Sequence, residues 1–148
     1  MHLFRSITAT AAALVVGLSA APALAQANYD LLTARIAYEK GKFSGIRAQT
    51  TEEYLMCAAY WGAVATAAKK GYISEAELDE LGPAFTNGLP ETRSQLFIAR
   101  GRSAKNAEDV YTGFHNTASE LYVAFIKGEQ KGTKRLFETL GTCRGKDS

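Results

Sequence analysis

Two cysteines, Cys57 and Cys143, stand in a chain that opens with the marks of an export leader, and no other feature restricts the fold so strongly. Exported chains mature in an oxidising compartment, where an even number of thiols implies bridges. Two cysteines allow one intramolecular connectivity, so Cys57–Cys143 is the expected disulfide, with a reactive thiol or an intermolecular bridge as the competing readings. The bridge closes a loop of about 85 residues, for which loop-closure entropy suggests a stabilisation on the order of 4–5 kcal/mol. No C-x-x-C occurs, which argues against thiol–disulfide exchange chemistry.

The leader is read from residue types. Met1 to Arg5 forms a short positive n-region, Ile7 to Ala21 an uncharged stretch rich in Ala, Leu and Val, and Pro22 a break. Ala23-Leu24-Ala25 then matches the A-x-A pattern cut by a signal peptidase before Gln26, with a cut after Ala27 as the competitor. An N-terminal membrane anchor is the other reading, but the run is short for a span of about 20 apolar residues. No cysteine lies at the cut to carry a lipid, and no arginine pair marks the twin-arginine route. The expected organisation is a removed signal peptide, residues 1–25, and one domain, residues 26–148, destined for the periplasm or the extracellular space. Removing 25 of 148 residues leaves 123, enough for a core of its own. The whole chain carries +2 and the leader one Arg without an acid, so the mature chain carries +1, which argues against nucleic-acid or polybasic membrane binding. The acidic segment Glu75–Glu80 and the basic segment Arg93 to Lys105 read as solvated helix faces.

Every segment of the mature chain has helical patterning. A first helix is expected from Asp30 to Lys40, with Leu32 and Ile36 on one face and Gly41 as its stop. The second is bounded by a capping box, Thr50 to Glu53, and by Gly71 after Lys70. Between Glu53 and Lys69 it has no charge, and a helix uncharged all round is a buried one. Its Tyr60 and Trp61 are expected to turn polar tips toward the surface. A short helix over Glu75–Leu81 has its own capping box at Ser74 and Glu77, and Pro90 opens another that runs to Arg100. The next, Lys105 to Lys127, carries an apolar stripe of Val110, Phe114, Ala118, Leu121 and Phe125, and a last spans Glu129 to Leu140 with Gly141 as its cap. The fold class is all-α, a single-domain bundle of four to five helices with one disulfide.

Chemistry is harder to find. Gly71 to Glu77 resembles the second half of an EF-hand calcium loop, but Thr66, Ala68 and Lys70 fall where the first half needs oxygen ligands. The helix caps account for the same residues without an ion. His115 is the only histidine of the mature chain and Met56 its only methionine, the pair a b-type haem between facing helices requires. Gly128 to Lys134 has the wrong spacing for a phosphate loop and follows a helix, and Glu77 and Glu80 share an exposed face. No catalytic residue, metal or cofactor is therefore assigned. Two functional expectations remain. The first is a non-catalytic exported protein that binds a protein or envelope component in the manner of inhibitors, immunity proteins and chaperones. It calls for an exposed apolar patch, to which Tyr122, Val123 and Ile126 are assigned. The second is a carrier of haem or a small apolar ligand, with Met56 and His115 as ligands and a cavity lined by Tyr60, Trp61, Phe114 and Phe125.

Overall fold

A side-chain cap marks the start of each of the first three helices. The Asp30 carboxylate accepts the Thr33 amide at 2.9 Å, and the capping boxes at Thr50/Glu53 and Ser74/Glu77 are both closed in each direction. In a computed structural model, which describes residues 29–144, these caps open α1 (Leu31–Phe43), α2 (Thr51–Lys69) and α3 (Glu75–Leu81). A single 3-10 turn, Pro83–Phe85, leads to α4 (Leu89–Gly101), α5 (Ala107–Ile126) and α6 (Gln130–Thr142). No strand occurs among the described residues. The leader and its cut sites lie outside them.

The chain is all-helical with one disulfide, as the sequence indicates, but the described residues form six α-helices rather than four or five. The sequence marks all six segments, and the count of four to five understates them. The seven-residue α3 is fixed by its capping box and by buried Leu78 and Leu81, and α1 packs extensively along α6.

Helix α2 is the centre of the arrangement, in contact with α4 and α5 along its length and with α6 near Cys57. Nine of its nineteen residues are buried, from Leu55 to Ala67, which is why it tolerates no charge between its ends. The Trp61 side chain is fully buried against Tyr38 and Phe85, and Phe85 in turn meets Phe137. Tyr60 and Trp61 thus point inward, with Tyr60 only 4 % exposed, rather than toward the surface. Buried polar tips need partners, and the Trp61 indole finds one in the Cys143 carbonyl at 2.8 Å.

The contact between α1 and α6 overturns three local expectations together. Gly41 does not stop α1, which continues to Phe43, and Gly141 lies inside α6. A methyl group on Gly41 would fall on the Glu138 carbonyl oxygen, and one on Gly141 on the Tyr38 carbonyl oxygen and 2.9 Å from the Gly41 Cα. The helices therefore cross backbone against backbone. Such an approach selects the small face of α1, so Ala34, Ala37 and Tyr38 are buried while Leu32 and Ile36 are 67 % and 60 % exposed. The stripe on α5 is also shorter than expected. Ala118, Tyr122 and Phe125 are buried, but Val110, Phe114 and Leu121 are half-buried.

Three measurements check this packing. Gly41→Ala is expected to lower the urea unfolding free energy by about 3 kcal/mol, because backbone cannot yield as a side chain does. Gly113→Ala, at an α5 position with nothing within 4 Å, is expected to raise it by up to about 1 kcal/mol. Cys57→Ser combined with Cys143→Ser is expected to lower it by about 4 kcal/mol, and a variant of unchanged stability would show the bridge to be no staple.

Candidate functional site

The disulfide is the most built feature of the molecule. Cys57 lies in the first half of α2 and Cys143 caps α6, with Cα atoms 5.2 Å apart and both residues buried. Together with the Trp61 hydrogen bond it fixes the end of α6 at two points of α2 one turn apart. Both sulfurs are shielded from solvent, as suits a structural bridge.

The residues considered for a ligand or haem do not form one chamber. Trp61 lies against Tyr38 and Phe85, Phe125 against Tyr29, Tyr122 and Phe137, and all are closely packed rings with centroids 4.9–6.3 Å apart. Tyr60 is buried and Phe114 half-buried on α5. His115 stacks on Tyr111 at 5.8 Å and faces α2 at Gly62. Met56, half-buried on α2, is six residues from Gly62, roughly 9 Å along the helix axis. The structure places His115 and Met56 at different levels of the bundle.

An open cleft of about 400 Å³ lies elsewhere, between α2, α3, the 3-10 turn and the start of α4. Ala65, Ile73, Leu78 and Phe85 form its floor, and Glu75, Asp79 and a Lys69–Glu91 ion pair of 2.8 Å its rim. Nothing in the sequence announced it, because its walls come from four separate elements.

The exposed apolar surface is also not where the sequence placed it. Tyr122 is 5 % exposed and so contributes nothing to a patch, although Val123 beside it is half exposed. The larger surface is on α1 and the loop that follows. Leu32, Ile36, Phe43 and Ile46 are 67 %, 60 %, 76 % and 65 % exposed. At 3.6 residues per turn, Leu32, Ile36 and Phe43 fall within about 40° around the helix, so they form a stripe rather than a scatter. Its spacing was legible in Leu32 and Ile36. Its direction was not, because the backbone contact with α6 decides which side faces in.

Near the start of the described chain, the Tyr29 hydroxyl faces the Glu77 carboxylate. Burial, then the hydrogen bond and charge of Glu77, push Tyr29 up to about 12. The Tyr29 hydroxyl, with the Ser74 amide and hydroxyl, holds Glu77 below the usual carboxylate range. Tyr122 is buried beside them with no hydrogen-bond partner for its hydroxyl among the described residues, and desolvation raises its pKa. A depressed carboxylate stabilises the fold above its unfolded pKa and loses that contribution as pH falls through the lowered value. Unfolding free energy is therefore expected to drop as pH falls below about 4.3, and urea titrations of Glu77→Gln across pH 2–7 are expected to show a flatter acid limb.

Among the described residues no group of three or more His, Cys, Asp or Glu is placed to hold a metal ion, and no helix is long and apolar enough to cross a membrane. Comparison with family models, curated proteins and solved structures returns no match.

Proposed function

We propose that the chain is an exported, non-catalytic binding protein that reaches the periplasm or the extracellular space through its N-terminal leader and docks on a protein partner through α1. The exposed stripe of Leu32, Ile36, Phe43 and Ile46 carries this reading. Large apolar side chains aligned on one helix face are costly to leave in water, and such faces seat in apolar grooves of partners as i, i+4 and i+7 anchors. Arg35, Lys40 and Lys42 flank the stripe; Lys40 pairs with Glu138 at 2.7 Å and Lys42 with Glu39 at 3.7 Å, so Arg35 is the flank cation left to meet an acidic group on the partner. Glu39 sits between Ile36 and Phe43 on the same line, where a lipid surface would have to bury it, whereas a protein groove supplies a donor. The buried disulfide supports export, since bridges persist in oxidising compartments.

The alternative, a small-ligand carrier, draws support from the cleft beside α3, whose volume and apolar floor suit a small amphiphile and whose acidic rim suits a cationic one. A native mass spectrum of the purified protein at the bare mature mass would count against it.

The docking reading is tested with a photo-crosslinking residue at Ile36 or at the exposed α4 position Gln95 in cells that export the protein. The expected result is one discrete heavier adduct from position 36, none from position 95, and its loss on adding Phe43→Glu. An adduct of twice the chain mass, a lipid adduct, or equal labelling from both positions would overturn it. Phe43→Glu is expected to leave stability within about 0.5 kcal/mol, because the ring touches little of the core.

A further inference from the structure

Opposite charges usually accompany clustered cations, yet Arg47, Arg100 and Arg144 line one hollow with no carboxylate in its lining among the described residues. The hollow is small, about 70 Å³, several times the ~10–15 Å³ that one water requires. Ala48, Tyr54 and Phe97 complete its wall. None of the three arginines takes part in an ion pair among the described residues. Glu53, next to Tyr54 of the wall, is engaged with the Gln49 and Thr50 amides at 2.7 and 3.1 Å.

The three arginines come from distant places along the chain. Tyr54 and Phe97 stack at 6.2 Å, and the Arg100 guanidinium lies over both rings at 5.9 and 6.0 Å, which orients its donors before any ligand arrives. Arg47 comes from the loop before α2. Arg144 follows Cys143 directly, and Tyr54 lies one turn before Cys57. The disulfide and the Trp61 hydrogen bond to the Cys143 carbonyl therefore deliver the third arginine to the hollow.

We propose that this hollow binds a phosphate-type oxyanion, free or as the exposed head of a larger molecule, and that the Cys57–Cys143 bridge completes the site. Guanidinium forks match tetrahedral oxyanions in pairs of hydrogen bonds, and three arginines lining one hollow favour an anion that offsets their charge. The site is apart from the α1 stripe and does not depend on docking there.

Calorimetric titration of the oxidised protein with inorganic phosphate at low ionic strength is expected to show one saturable site. Arg100→Gln and Arg144→Gln are each expected to weaken it about tenfold or more, and so is reduction of the disulfide under conditions where circular dichroism shows the helices retained. Arg102→Gln, on an exposed neighbour outside the hollow, is expected to change it less than twofold. A second arm uses phosphatidylcholine vesicles with and without phosphatidic acid. Binding to the acidic vesicles that inorganic phosphate competes away identifies a lipid headgroup as a source, and phosphate binding without vesicle binding identifies a soluble one. No saturable phosphate binding, or an Arg102→Gln loss equal to that of Arg100→Gln, would overturn the proposal.

Discussion

The end of α6 is held to α2 by two bonds that converge on a single residue, and much of the structure depends on that attachment. Cys143 gives its sulfur to Cys57 and its carbonyl to the Trp61 indole. Helix α6 in turn holds α1 through the Gly41–Gly141 crossing, where no side chain separates the backbones. Fixing Cys143 therefore fixes α6, and fixing α6 fixes α1. The crossing has a consequence at the surface. By taking up the small face of α1 it leaves the larger apolar residues outside, so the surface proposed for docking is the by-product of the closest contact in the core.

The parts of this arrangement that were legible in the sequence are those set by local chemistry or by counting. The capping boxes at Thr50 and Ser74 mark helix starts because the donors they satisfy lie within three residues. Helix α2 is recognisable as buried because fifteen residues without a charge have few other uses. Pairing two cysteines needs no geometry. What was not legible is set by partners distant in sequence. A glycine after a helical run suggests a C-terminal stop, and only the presence of α6 reveals that Gly41 is there for close approach. Leu32 and Ile36 suggest an inward face by size, yet backbone approach favours Ala34 and Ala37. For the same reason the arginine hollow was not legible. Arg100 belonged to a basic segment with the pattern of a solvated face, and Arg47 and Arg144 lie far from it along the chain.

The surface features sit around a core that takes up most of the large rings. Trp61, Phe85, Phe125 and Phe137 pack there ring on ring. The histidine and methionine considered for haem lie at different levels of the bundle. What the surface offers is an apolar stripe with basic flanks at α1, an open cleft with an acidic rim beside α3, and a hollow of three arginines near the disulfide. The stripe and the hollow draw their positions from the helices pinned at Cys143.

The dependence of α1 and α6 on that attachment is open to direct measurement by native-state hydrogen exchange. In the oxidised protein the amides of Leu55–Val64 in α2 and of Leu136–Leu140 in α6 are expected to exchange at one common, slowest rate, since the two segments open only together. Reduction is expected to speed both at once. Exchange of α6 that runs ahead of α2 in the oxidised protein, or α2 protection unchanged after reduction, would contradict the view that the rest of the fold hangs on Cys143.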